Sequence, residues 1–325
     1  MRKGTAILLI IAAALTVLGG AIFTVGVIAM GNNSASFTDS KYQNKTYEAT
    51  DRIEGVKIIT DTADVELVPY DKEGYKVECF EEKKLSHNVT VKDGVLSVEK
   101  QDARAWYDHI SFFSKPTKVT VYIPKGEYSS LWVDLDTGYT TVSKDFVFGA
   151  AEILCSTGDV KFYASTQSTL TIKASTGNVT VENLDTGGLA HGNVSLKTTT
   201  GNITAKKLIC KNVTLSVSTG KTTVSDMTCE SFNSIGNTGD IAMSNLVVKG
   251  SLNVKRSTGD VKFNKCDAAK LNITTDTGDV TGSLLSDKIF IHKTDTGKVS
   301  LPETTTGGTC KIITDTGDIK ISITK

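Results

Sequence analysis

Carboxylates repeating at fixed spacing are the first residues in this sequence with the means to do chemistry. Asp240, Asp260 and Asp279 each follow the glycine of a Thr-Gly pair, and Asp276, Asp295 and Asp315 each stand two places before one. Stacked at about 4.8 Å, like charges repel, and a calcium ion with oxygen ligands would relieve the repulsion. The competing account is turn chemistry, in which a short acidic side chain hydrogen-bonds nearby backbone and stays solvated. Lys221 and Lys298 break the first acidic series, and the glycine-rich nonapeptide of calcium-binding β-rolls is missing from the sequence. The expectation is therefore no metal and no cofactor, with these six aspartates as the places a calcium ion would occupy.

The other reactive side chains are scattered. His87, His109, His191 and His292 are far apart, and none falls in a nucleophile or zinc motif, so no catalytic residues and no enzyme are expected. Six cysteines occur without a CxxC pair. Cys210 and Cys229 each lie nine residues after a Thr-Gly glycine, which puts them at one place in consecutive units. Such neighbours are close enough for a disulfide, and reduced thiols packing as small apolar groups fit equally well. Trp106, Tyr107, Phe112 and Phe113 form a candidate interaction patch between Asp102 and Pro116. Aromatics there would also serve to close the end of a stacked array. Thr-x-Thr runs beginning at Thr275, Thr294 and Thr314 suggest a hydroxyl ladder, but Cys155, Ala174, Val217 and Arg256 hold that place elsewhere, so the ladder is irregular.

These residues are positioned by a repeat. The Thr-Gly pair recurs with its glycine at 138, 158, 177, 201, 220, 239, 259, 278, 297 and 317, mostly 19 or 20 residues apart. Apolar residues seven and five places before the glycine, such as Leu170 and Ile172, alternate with polar ones, and Val or Ile stands two places after it in most copies. Period two on both sides of a tight turn means two strands, each sending alternate side chains inward. A fixed period of this length marks a solenoid, whose units bury their apolar faces only against their neighbours. Ten coils at about 4.8 Å make a rod of roughly 48 Å. A 24-residue gap contains an inserted loop from Asp185 to Gly192, and residues 60–65 look like a degenerate copy of the turn. The last strand, ending Ile319, Ile321, Ile323, has no evident cap and carries Lys320, which reads as an open edge guarded by charge or docked by another chain.

The N-terminus has a different character. From Thr5 to Met30 there is no charged residue, and Arg2 and Lys3 precede the stretch. At about 1.5 Å per residue this helix would reach roughly 39 Å, enough to cross a hydrocarbon core of about 30 Å. The flanking positive charge places the N-terminus in the cytoplasm and the remainder outside. A cleaved signal peptide is the alternative, although its apolar region is usually shorter. The organisation expected is a cytoplasmic stub (1–4), a transmembrane helix (5–30), a linker (31–47), an N-terminal β cap (48–130) and the solenoid (131–325). With 36 basic and 36 acidic residues the chain has no net charge, which argues against nucleic acid as a partner.

The segment Val119-Thr120-Val121-Tyr122-Ile123-Pro124-Lys125-Gly126, then Leu131 and the recurring STGDV and DTGDV turns, resembles the bacterial putative adhesin family of β-strand repeat proteins, a domain of unknown function whose members include LiaG-like membrane proteins. The resemblance covers about Ile53 to Ile323. It implies an envelope location, adhesion and a link to envelope stress, and it brings no catalytic residues. The expected protein is an all-β, single-chain, β-helix-like solenoid with 19 to 20 residues per coil after one transmembrane helix. It would be a noncatalytic binding or adhesion module at the cell membrane, meeting a cell-wall polymer or another envelope protein. The alternatives are a carbohydrate-acting enzyme, which a convergent pocket of paired carboxylates would favour over a flat face of Thr, Lys and Asn, and a structural spacer without a ligand.

Overall fold

The computed structural model describes Thr16, Gly19 and residues 41–104, 115–183 and 190–324, leaving out the side chains of Ala190 and His191. Thr16 and Gly19 are helical; the rest of the proposed span lies outside the described residues, among which no helix is long and apolar enough to cross a membrane. The aromatic patch Trp106, Tyr107, Phe112 and Phe113 also lies outside them, as does most of the inserted loop.

The described residues contain 24 strands. The first seven are β1 (Tyr42–Ala49), β2 (Gly55–Thr60), β3 (Ala63–Tyr70), β4 (Tyr75–Glu82), β5 (Leu85–Lys92), β6 (Val95–Asp102) and β7 (Thr117–Pro124). Next come β8 (Gly126–Thr137), β9 (Thr140–Val142), β10 (Phe146–Thr157), β11 (Val160–Phe162), β12 (Ser165–Thr176), β13 (Val179–Glu182), β14 (Ala190–Thr200), β15 (Ile203–Lys206) and β16 (Ile209–Thr219). The last eight are β17 (Thr222–Thr238), β18 (Ile241–Thr258), β19 (Val261–Thr277), β20 (Val280–Leu284), β21 (Lys288–Thr296), β22 (Val299–Ser300), β23 (Gly308–Thr316) and β24 (Ile319–Ile323).

From β8 onward each coil is a strand, a Thr-Gly turn and a second strand, paired in parallel with the same strands of adjacent coils. Inward positions carry the core: Leu170, Ile172, Val179 and Val181 in one coil are all fully buried. Every one of the ten turn glycines has positive φ. Gly158 shows why nothing larger fits, since a Cβ there would lie 1.9 Å from the carbonyl oxygen of Gly138 in the coil before. A second corner, six residues after the glycine, is made by Lys207, Asp226, Asn245 and Lys265, all at φ near +50°. Asn and Asp adopt that region more readily than most side chains, and Asn245 Nδ2 also donates to Asp226 Oδ1 at 2.8 Å.

Parallel stacking begins before residue 131. Residues 60–65 are a true copy of the turn: β2 and β3 pair in parallel with β8 and β9, and the Thr137 amide donates to the Asp61 carbonyl at 2.7 Å. On their other side lie β6 and β7, also parallel. Only β1, β4 and β5 run antiparallel to their neighbours, and they close this end of the array.

The opposite end corrects the expectation of an open last strand. β23 lies between β19 and β21, and β24 between β20 and β22, so the final coil in sequence is next to last in space. The Gly278 amide bonds to Thr316, and the Gly317 amide to Thr296. Coil 288–300 therefore forms the end, where Ile289, Ile291 and Val299 are exposed.

Candidate functional site

Three groupings bear on function: the turn aspartates, the outer face of the long strands, and a buried polar cluster in the N-terminal cap.

Residues following the turn glycines form a ladder, but not through like charges facing one another. Asp240 Oδ1 accepts the Asp260 amide at 3.0 Å, Asp260 Oδ1 the Asp279 amide at 3.0 Å, Asp279 Oδ1 the Asp318 amide at 2.8 Å, and Asp318 Oδ1 the Lys298 amide at 2.7 Å. Asn178 and Asn202 hold the same place and make the same bond, to Asn202 and Lys221 respectively. Each side chain thus satisfies a backbone donor that the turn leaves unpaired, which accounts for Asp and Asn alternating there. A hydrogen bond from Lys262, outweighing burial, holds the Asp260 carboxyl below its usual range. Asp276, Asp315 and Asp295 follow one another along the array in that order and are exposed; Asp295 pairs with Lys293 at 3.0 Å. The first threonines of the Thr-x-Thr runs point inward. Thr275, Thr294 and Thr314 donate to the carbonyls of Gly259, Gly317 and Gly278.

The outer face is a continuous grid. One row, six residues before each glycine, runs Trp132, Glu152, Thr171, Ser195, Thr214, Asn233, Asn253, Asn272, Lys311 and Ile291 in unbroken register. Its amides bond along the row, Asn272 Nδ2 to Asn253 Oδ1 at 2.8 Å, and in a parallel row Asn212 Nδ2 bonds Asn193 Oδ1 at 2.8 Å. Lys173, Lys197 and Lys255 stand beside it. From Thr171 to Lys311 the row carries a hydroxyl, an amide or an amine in every coil, with Trp132 and Glu152 at one end and Ile291 at the other.

The cap cluster went unnoticed in the sequence. Cys79 and Glu81 project to one side of β4, and the hairpin return to β5 brings His87 against them; all three are buried. Glu81 Oε2 accepts both the backbone N–H of His87 at 2.6 Å and its ring Nδ1 at 2.9 Å. Glu81 Oε1 accepts from Gln43 at 3.0 Å and lies 3.4 Å from Lys45 Nζ. Across the core, Thr60 Oγ1 lies 2.9 Å from His87 Nε2. Burial pushes the Glu81 carboxyl up, but hydrogen bonds from His87 and the charge of Lys45 prevail and hold it below the usual range. Burial, aided by Glu81, lifts the Cys79 thiol to about 12. Hydroxyl, imidazole and carboxylate in line resemble a base held by an acid, yet Thr60 is 2% exposed and Glu81 0%. Neither described cleft reaches them: one of about 350 Å³ is lined by Arg52, Glu73, Lys125 and Tyr128, the other, of about 270 Å³, by Ile209, Cys210, Cys229 and Lys249.

Cys210 and Cys229 are register partners, as their spacing implied, and are free thiols. Burial raises both to about 12. His292 is exposed on the end coil, far along the array from His87.

The family model described as Toastrack DUF4097 matches residues 53–190 and again residues 189–325. Comparison with curated proteins gives no match. Among solved structures, a putative adhesin from Bacteroides fragilis NCTC 9343 is 11% identical, covering 88% of this chain and 99% of its own, at a TM-score of 0.42. A putative lipid binding protein from Parabacteroides distasonis ATCC 8503 is 14% identical, with coverage of 88% and 98% and a TM-score of 0.40. A putative adhesin from the same organism is 15% identical, with coverage of 87% and 98% and a TM-score of 0.41.

Proposed function

The chain belongs to the Toastrack DUF4097 family, and from that premise we propose that it is a noncatalytic binding module, anchored in the cell membrane by residues 5–30 and displaying its solenoid outside the cell. The observation that carries this reading is the outer grid. Amide, hydroxyl and amine groups recurring coil by coil from Thr171 to Lys311 suit a long, hydroxyl-rich or anionic partner with its own repeat, such as a cell-wall polymer, and weak contacts add along such a partner by multivalency. The same flat face lacks the concave shape that a hydrolase needs to enclose a sugar. Trp106, Tyr107, Phe112 and Phe113 are a second proposed contact, near the membrane.

Capture of purified envelope material by the protein tests the proposal. The wild type should retain envelope polymer. A variant with Asn233→Ala, Asn253→Ala and Asn272→Ala should lose most of it while keeping its β circular dichroism. Equal retention by both would remove the outer grid from the account. Loss confined to Trp106→Ala, Phe112→Ala and Phe113→Ala would move the contact to the aromatic patch.

A further inference from the structure

The cap cluster offers more than hydrogen bonds. Cys79 Sγ, a Glu81 carboxylate oxygen and a His87 ring nitrogen all lie within 4.8 Å of one another in a buried site. We propose that Cys79, Glu81 and His87 bind a divalent ion of the zinc class through one sulfur, one oxygen and one nitrogen.

The donor set selects the ion. Sulfur and imidazole nitrogen together suit Zn²⁺ and Co²⁺ and disfavour Ca²⁺ and Mg²⁺, which take oxygen ligands. Bonds of about 2.0–2.3 Å in a tetrahedron put ligand atoms roughly 3.3–3.8 Å apart. Glu81 Oε2 and His87 Nδ1, now 2.9 Å apart, need to part by less than an ångström to admit the ion.

The surroundings can support the ion once the His87 proton moves from Nδ1 to Nε2. With Nδ1 on the metal, the proton of His87 sits on Nε2 and is donated to Thr60 Oγ1, which fixes the ring plane. Gln43 and Lys45 continue to hold Glu81 Oε1, and Oε2, which also accepts the His87 backbone N–H, turns its other lone pair to the ion. Lys45 also marks the way in, since its side chain is 38% exposed while its amine is 3.4 Å from the carboxylate. Binding balances as loss of one thiol proton: Cys79–SH and M²⁺ give the metal thiolate and H⁺, while Glu81 is already ionised. Because the thiol gives up its proton to the solvent on binding, affinity should rise with pH.

The test is titration of the full-length protein with Co²⁺, whose thiolate complexes absorb by sulfur-to-metal charge transfer. The wild type should develop that band with one equivalent, release one proton per ion, and lose the band to added Zn²⁺. Cys79→Ser should abolish the band, His87→Gln should weaken binding at least tenfold, and Thr60→Val should weaken it about tenfold while keeping the band. His87→Gln leaves the thiol in place, so it remains informative should Cys79→Ser fail to fold. A wild type without the band, or a band that survives in folded Cys79→Ser, would overturn the proposal.

Discussion

Arg256 is the largest side chain fully buried in the solenoid, and its neighbour in the preceding coil, Gly236, makes room for it. Its Nη2 donates to Thr222 Oγ1 at 3.1 Å and Ser234 Oγ at 3.0 Å, and its Nη1 to the Lys255 carbonyl at 3.0 Å. No carboxylate is among these partners. A Cβ at Gly236 would lie 2.9 Å from Nη1 and 3.0 Å from both Cδ and Cζ. Gly236→Ala should therefore cost about 1–3 kcal/mol by overpacking. In an Arg256→Ala background the obstacle is gone, and the same change should gain about 0.5–1 kcal/mol, the ordinary advantage of Ala over Gly in a strand. The difference, a coupling of about 1.5–4 kcal/mol, is the predicted quantity, read from urea midpoints of the two single variants and the double variant. Burial lowers the guanidinium well below its ordinary range, to about 10, an electrostatic cost of roughly 3 kcal/mol. Below pH 9 the group is charged in both folded and unfolded chains, so that cost is constant; it would be relieved only as pH rises above about 10. The coupling should accordingly be equal at pH 6 and pH 8. Additive single effects would refute the packing argument, and a coupling that changes between those pH values would refute its electrostatic part.

Four further outcomes are expected. Thr140 occupies an inward place where most other coils have Val or Ile, and its hydroxyl finds no partner among the described residues; Thr140→Val should stabilise the protein by about 1–2 kcal/mol in urea unfolding. Asp260→Asn keeps the oxygen that accepts the Asp279 amide and should be nearly neutral, whereas Asp260→Ala should cost about 1 kcal/mol. Because the Asp260 carboxyl is lowered on folding, its contribution should be present above the unfolded value and fade as pH falls through the folded one, visible as a loss of midpoint below about pH 4. All six cysteines are buried free thiols, so a thiol reagent at pH 8 should label essentially none in the native protein and all six after unfolding without reductant; fewer than six would mean a disulfide, first of all between Cys210 and Cys229. Hydrogen exchange should protect β23 and β24 more strongly than β21 and β22, although β21 and β22 come earlier in the chain.

The local repeat was readable because turn and strand chemistry are short-range. Each Thr-Gly pair reports its own positive-φ turn, and Val or Ile two places on reports its own inward strand; the degenerate copy at residues 60–65 keeps the inward Val65 but has Ala63 in place of the glycine, without positive φ. Coil order was not readable at the C-terminal end, since the turns at Gly278, Gly297 and Gly317 carry the same DTG signature and pair equally well with one another. The corners at Asp226 and Asn245 were missed because Asp and Asn are common throughout the chain, although their spacing of six from the glycine was available as a signal. Glu81, His87 and Thr60 meet through an antiparallel hairpin laid beside parallel coils, which no spacing rule reveals. Arg256 looked like a break in a threonine series; its glycine partner, 20 residues earlier at the same repeat position, was the sign that it points inward.

The central claim is that the outer grid binds envelope polymer without altering it. Its most direct measurement is a binding isotherm of the purified protein on isolated envelopes, with soluble fragments assayed in the same tubes. The account predicts saturable binding, weakened at least tenfold by Asn233→Ala, Asn253→Ala and Asn272→Ala together, and no fragments released. Release of fragments by the wild type, or an isotherm unchanged in a folded triple variant, would contradict it.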